Sequence, residues 1–463
     1  MDKKTIYSWA LYDWANSAYA TSVMAGLFPL FFGAIAKGDL DPTSTTNYLA
    51  LSNSIASFVV ALLAPILGAI ADHGTLKKKL LIFFAFLGIL MTISMGFIMQ
   101  GYWIIAFIVY IFATIGFSSA NTFYDSLLPV VSNKKNVDYV SALGFALGYL
   151  GGGILIVINA AMVYFHNNIG ITLIEAYQYS FISVGIWWAL FSIPIVLFVD
   201  EPASHEKKSL TTAIKDGWSQ FVSTIQNIKK SKVVATFLLA YWLYIDGVDT
   251  VVRMAVNLGE KLGFASEVMM VALVVVQFVA FFATLLYIKI SDKIGLKNGI
   301  YLGIIGYIFI IIIGSSVTEV WQLYVGVILI GCFQGGIQTL SRSLYARIIP
   351  QNKTAEFFGF FNMWGKFAAI IGPLLMAGVT TLSLRYIEAN SASLVPVKVL
   401  GNGSLDKAAN AIVSALTVIV KDAHHTLSAR IGFLSLIILF ILGAYVFSKV
   451  DVEEGERIAK EHL

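Results

Sequence analysis

The chain alternates long apolar blocks with short polar connections. Blocks of twenty or more residues with few charges fall near 6–36, 48–71, 79–100, 103–130, 138–165 and 173–199. A second set falls near 232–258, 265–290, 297–316, 320–349, 354–381 and 428–448. A helix needs about 20 apolar residues to cross the hydrocarbon core of a bilayer, so the pattern predicts twelve transmembrane helices. A large soluble core would require polar faces on its surface helices, and most of these blocks have none. The expected fold class is an all-α polytopic membrane protein.

Composition agrees with the pattern. Of 463 residues, 58% are hydrophobic and 13% charged, and the mean hydropathy is +0.80. A soluble domain is near half apolar and a quarter charged. The net charge of +4 resides in loops between apolar blocks, so nucleic acid is not an expected partner and the lipid bilayer is. The single cysteine, Cys332, lies inside an apolar block. It excludes an intrachain disulfide and reads as a small packing residue. Lys3 and Lys4 with Ala18-Tyr19-Ala20 imitate a signal peptide. The apolar run continues to about Ala36, past the 7–15 residues of a signal core, so a retained first helix is expected.

Basic residues fix the expected orientation. One side holds Lys3, Lys4, Lys77–Lys79, Lys134, Lys135, the 207–232 segment, Lys293, Lys297, Arg347, Lys353 and the tail from Lys449. The short loops opposite hold Lys37 and Lys261. Both termini are therefore expected in the cytoplasm, with a bacterial inner membrane as the expected location. The 382–427 stretch is long enough to translocate regardless of charge, and 408–420 within it reads as a short helix on the outer surface. His424 and His425 lack the spaced partners of a metal site and read as surface loop. In the 200–231 segment Ile214, Trp218, Phe221, Val222, Ile225 and Ile228 recur at helical spacing. This fits an amphipathic helix, either on the membrane face or packed on the protein.

The two halves repeat. Asp72 in "GAIADHGTLKKKL" and Asp292 in "IKISDKIGLKNGI" are 220 positions apart. Asn121 and Gln338 are 217 apart, as are Gly148 and Gly365. Each half holds an even number of spans, so the halves run parallel and form two pseudo-symmetric six-helix bundles. The expected units are 1–199, a linker at 200–231, 232–450 with the outer insertion 382–427, and a tail at 451–463. Substrate sites in such proteins lie between the halves near mid-membrane.

Polar residues inside the spans are costly and mark transport pathways. In "YDWANSAYAT", Trp9, Tyr12, Asp13, Asn16 and Ala20 share one side of the first span. In the seventh, Trp242, Asp246, Asp249, Thr250, Arg253 and Asn257 follow one stripe, within an arc of about 100°. Asp249 and Arg253 stand four apart and can pair. Asp246 has no partner at good spacing in its own helix, so it must meet a cation elsewhere, hold a proton or face water, as a proton- or substrate-coupled carboxylate would; a buried ion pair fixing helix contacts is the other reading. Ser118, Asn121, Thr122 and Asp125 line up in the fourth span. Gln334, Gln338, Ser341, Arg342 and Tyr345 do so in the tenth. Asp125 and Arg342 occupy repeat-equivalent positions with opposite charge toward the cytoplasmic end, suited to a gate, a structural salt bridge or substrate contact. Lys366, with Asn362 one turn before it, lies near mid-membrane in the eleventh span and suits a carboxylate. Gly144, Gly148 and Gly152 line one face of the fifth span and read as a close-packing stripe.

These residues resemble the major facilitator superfamily. Its loop pattern is matched by Gly68, Ala71, Asp72, Lys77 and Leu80, and in the second copy by Asp292, Lys293, Gly295 and Lys297. His73, Thr75 and Leu76 depart from it. The resemblance implies that these loops lock the cytoplasmic side, with the aspartate facing a neighbouring helix start. "YDWANSAYAT", "YIDGVDTVVRMA" and "SRSLYARIIPQNKTAEFFGFFNMWGKFAAIIGP" resemble more closely the unknown-major-facilitator branch, which includes the autophagy-related vacuolar amino-acid effluxer. That resemblance implies a cavity lined by the first, fourth, seventh and tenth spans, and amino acids as the first substrate class.

The expected function is a secondary transporter moving a small polar solute by alternating access, driven by protons or by exchange. Candidate substrate and coupling residues are Asp13, Asn16, Asn121, Asp246, Asp249, Arg253, Gln338, Asn362 and Lys366. Candidate gate residues are Asp72, Asp125, Asp292 and Arg342. The alternative is a proton antiporter exporting a drug-like or siderophore-like molecule through an aromatic cavity of Tyr12, Tyr19, Trp242 and Trp364. No Walker A sequence, zinc-spaced histidine pair or nucleophile elbow occurs, so neither an enzyme nor a cofactor is expected. A monomer is expected.

Overall fold

The structure is a computed structural model describing residues 2–74, 76–201, 232–261, 265–390, 424 and 426–461. The expected linker helix and most of the 382–427 stretch, with His425, lie outside the described residues. Among the described residues twelve helices are long and apolar enough to cross a membrane. We number them α1 (Lys3–Ile35), α2 (Pro42–Gly74), α3 (Lys77–Met95), α4 (Trp103–Val131), α5 (Val137–Tyr164) and α6 (Leu173–Phe198). The second half holds α7 (Lys232–Lys261), α8 (Ser266–Ile294), α9 (Leu296–Ser315), α10 (Val320–Ile348), α11 (Thr354–Asn390) and α12 (Thr426–Ser448). A tail helix, α13, covers Val452–Glu461.

The pairing of helices repeats between the halves. In the first, α1 packs on α5 and α6, α2 on α4, and α3 on α4 and α6. In the second, α7 packs on α11 and α12, α8 on α10, and α9 on α10 and α12. Each contact has its counterpart six helices later, as two parallel bundles related about the membrane normal require. The halves meet through α2 against α11 and through α5 against α8, a pair that the same relation exchanges. Leu, Ile and Phe side chains left exposed, such as Phe58, Phe83, Phe86, Phe282 and Leu374, form the surface that lipid covers.

Two elements depart from the sequence pattern. Tyr19–Leu27 winds as a π-helix inside α1, closed by the Phe28 N–H donating to the Val23 carbonyl five residues back. A uniform period of 3.6 therefore fails to place residues beyond Ala18, because each π turn rotates the following side chains. The eleventh span runs to Asn390 rather than ending near 381, since no glycine or proline interrupts the chain between Gly378 and Pro396.

Small residues let the halves touch. A Cβ on Gly68 would fall 2.3 Å from the Ala355 carbonyl oxygen, and one on Gly359 would fall 2.6 Å from that of Ala64. The backbones of α2 and α11 are thus in direct contact at the end that carries both termini. The expected stripe on α5 behaves alike: a Cβ on Gly148 would meet Ser17 Oγ at 2.6 Å and one on Gly152 would meet Thr21 Oγ1 at 2.6 Å. That stripe brings the backbone of α5 against α1 and fixes Asp13 at the inner face.

Candidate substrate cavity and gate

A cavity of about 200 Å³ lies between the halves. Asp13, Asn121, Tyr124, Asp125 and Phe145 wall it from the first half. Tyr241, Ile245, Asp249, Gln338, Arg342, Phe361, Asn362 and Gly365 wall it from the second. The helices involved are α1, α4, α7 and α10, as expected, joined by α5 and α11.

Arg342 is the hub. It is 3% exposed, and its Nη1 donates to Asp125 Oδ1 at 3.0 Å and lies 3.6 Å from Asp13 Oδ2. Nε donates to Ser141 Oγ at 3.0 Å and Nη2 to the Ser141 carbonyl at 2.8 Å. The guanidinium sits 4.0 Å above the Phe145 ring. Every one of these partners belongs to the first half, so Arg342 ties the second half to it. Asp125 Oδ2 also accepts from Asn362 Nδ2 at 3.3 Å, and Asp13 Oδ2 from the Tyr124 hydroxyl at 3.1 Å. Asn16 Nδ2 donates to Asn121 Oδ1. Tyr149, the residue on α5 one turn beyond Phe145, donates to Gln338 Oε1 at 2.7 Å. Two carboxylates against one guanidinium leave a surplus negative charge when both are ionised.

The seventh-span stripe divides. Asp249 faces the cavity and feels the charges of Arg253 and Lys366. Arg253 is exposed and Lys366 half-buried. Among the described residues neither comes within ion-pair distance of Asp249, so the Asp249–Arg253 pair allowed by spacing is not formed. Asp246 does not line the cavity. It is 1% exposed and, contrary to the sequence reading, does have a partner on its own helix: Thr250 Oγ1 donates to it at 3.2 Å. The Gly372 N–H donates to it from α11 at 2.9 and 3.0 Å. Helical spacing alone could not reveal a backbone donor on another helix.

The halves are shut against each other at the terminus-bearing end, where the candidate gate residues lie. Asp72 accepts from the N–H groups of Ala355 at 3.1 Å and Glu356 at 2.8 Å, which caps the first turn of α11, where free N–H groups and the helix dipole favour a carboxylate. Lys77 Nζ lies 2.8 Å from Asp72 Oδ1 and donates to Thr354 Oγ1 at 2.7 Å. Glu201, just past α6, accepts from the N–H groups of Lys77 and Lys78 at 3.2 and 3.1 Å; burial pushes its carboxyl up from the usual range. Farther along the seam, Arg347 Nη2 donates to Asp138 Oδ2 at 2.6 Å. Glu456 of the tail helix lies 3.8 Å from Arg347 and 3.7 Å from Lys134. Asp292, the repeat partner of Asp72, is exposed and makes no hydrogen bond or ion pair among the described residues. The repeat fixes its place on α8, but not its contacts. Asp138, Ser141, Tyr149 and Glu456 were missed as site residues. An acid in the first turn of α5 was the available signal for Asp138; nothing local marks the other three.

A polar cavity between two repeated six-helix bundles, closed at one end by cross-half ion pairs, defines an integral membrane transporter of the major facilitator type. The chain belongs to the family described as "Vacuole effluxer Atg22 like", which it matches over residues 1–386. It is 37% identical over 379 residues to the "Uncharacterized MFS-type transporter YxiO" of Bacillus subtilis (strain 168), covering 81% of this chain and 88% of the relative. It is 24% identical to autophagy-related protein 22 of Vanderwaltozyma polyspora, covering 83% and 87%. Its fold is similar to that of the proton:xylose symporter XylE bound to 6-bromo-6-deoxy-D-glucose, with a TM-score of 0.67, 14% identity, and coverage of 99% and 100%. Among the described residues no cluster of three or more His, Cys, Asp or Glu side chains is placed to hold a metal.

Proposed function

We propose that the protein moves a small zwitterionic solute, with amino acids the first class, by rocking its halves, residues 1–199 and 232–450, about the central cavity. The observation that carries this reading is the composition of that cavity: Asp13, Asp125 and Asp249 stand with Arg342 and with the amides of Asn121, Gln338 and Asn362. Free acceptors on Asp249 suit an ammonium group, while the nearby cations Lys366 and Arg253 suit a carboxylate. The amides supply neutral donors and acceptors to both. The family description names an effluxer, which supports solute transport without naming a solute.

Coupling to protons belongs, in this reading, to Asp13 and Asp125 rather than to Asp246. An unbalanced charge in a dry site is costly, and a proton on either carboxylate would balance the pair against Arg342. The basic bias of the loops puts the closed end in the cytoplasm, so the described arrangement is the one shut toward the cytoplasm. The test is uptake of a labelled amino-acid pool into proteoliposomes with and without a pH gradient. Asp13→Asn is expected to remove the stimulation by the gradient while exchange at equal pH continues. Stimulation that persists unchanged in both Asp13→Asn and Asp125→Asn would place coupling elsewhere. No observation favours the drug-export reading: Tyr12, Tyr19, Trp242 and Trp364 are absent from the cavity wall, and Tyr12 and Tyr19 pack against Tyr124 and Trp188 within the first half.

A further inference from the structure

We propose that Asp246 is a positioning residue that clamps α11 at Gly372–Pro373 and so sets the place of the cavity wall that α11 carries. Pro373 has no N–H, and its ring crowds the carbonyl four residues back, which makes this the weak point of the helix. The N–H just before it, on Gly372, is taken by both oxygens of Asp246, at 3.0 and 2.9 Å. Thr250 Oγ1 holds the same carboxylate at 3.2 Å. The fit leaves no room for a side chain: a Cβ on Gly372 would lie 2.1 Å from Thr250 Oγ1 and 2.8 Å from Asp246 Oδ1.

The clamp has a firm base. A Cβ on Gly247 would fall 2.5 Å from the Phe440 ring, and one on Gly443 would fall 3.1 Å from Tyr244, so this part of α7 is wedged against α12. Phe361, Asn362 and Gly365 of the cavity wall therefore lie between two aspartate anchors on α11. Asp72, from the first half, holds the start of the helix; Asp246, from its own half, holds the proline. When the halves part at the gate, the first anchor lets go and the second stays, so α11 articulates at Gly372.

The test needs no known substrate. Cys332→Ser removes the native thiol, and Gly365→Cys places a reporter where a Cβ has only the Tyr241 hydroxyl within 4 Å, at 3.8 Å. The rate of its reaction with a membrane-impermeant maleimide is measured in proteoliposomes. Thr250→Val, which keeps the volume but removes the donor, is expected to raise the rate by about fivefold, the factor that one hydrogen bond is worth. Asp246→Asn is expected to raise it at least as much, and Thr250→Ser to restore the original rate. An unchanged rate in Thr250→Val, or a rise that Thr250→Ser leaves in place, would overturn the clamp.

Discussion

Arg342→Met removes the hub of the seam while keeping an unbranched side-chain stem, and its effect can be worked from the contacts. The wild-type guanidinium makes three hydrogen bonds at 2.8–3.0 Å to Asp125 and Ser141 and lies 3.6 Å from Asp13. Methionine leaves two buried carboxylates facing each other without a cation. Breaking a buried pair in this way costs about 3–5 kcal/mol. The cost falls on one conformation only. Once the halves part, water reaches Asp13 and Asp125, and the penalty is relieved. The equilibrium between closed and parted states should therefore move by about two powers of ten at the lower limit of that range. Spin labels at the exposed positions Lys135 and Lys293, one on each half near the gate and introduced in a Cys332→Ser background, report the separation by pulsed electron resonance. The variant is expected to convert a short-distance population into a longer one. A distribution identical to that of the unsubstituted chain would refute the argument that Arg342 holds the gate.

Other predictions follow from the same seam. Asp72→Asn keeps one carbonyl oxygen to accept from α11 but loses the charge on both caps and the pairing with Lys77; since a hydrogen bond to a charged group is worth about 1.5–3 kcal/mol, the same spin-label pair should show a shift toward the longer distance. Gly359→Val drives a side chain into the Ala64 carbonyl and should part the gate as completely as loss of the hub does. Glu456→Gln removes two ion pairs of 3.7 and 3.8 Å at partly exposed side chains; an effect below about 1 kcal/mol is expected, visible as at most a minor change in the distance distribution. Asp249→Asn should weaken solute binding, read as a raised half-saturation in exchange, while leaving the spin-label distances as they were.

Much of this architecture was legible in the sequence, and the reason is physical. Hydrocarbon demands long apolar helices, so the twelve spans announce themselves. The repeat places Asp125 and Arg342 at equivalent positions, and in the structure they form an ion pair between the halves. Five of the nine substrate and coupling candidates, Asp13, Asn121, Asp249, Gln338 and Asn362, line the cavity. Asn16 stands just behind it on Asn121. Asp246 was harder to place, because its main partner is a backbone N–H on another helix, that of Gly372. The inward register of α1 past Ala18 was illegible too, since nothing in Tyr19–Leu27 announces π turns. The tail latch through Glu456 and the one-sided use of Asp72 over Asp292 depend on how the halves dock, which no local pattern records.

The cavity between the halves is, in the proposed function, the solute path. Counterflow tests it most directly: proteoliposomes loaded with an unlabelled amino-acid pool are diluted into labelled tracer. Transient accumulation of tracer is predicted for the unsubstituted protein, with loss of accumulation in Arg342→Met. A protein that retains its fold and its gate movement by spin-label distance, yet shows no counterflow with amino acids, sugars or organic acids, would contradict the account.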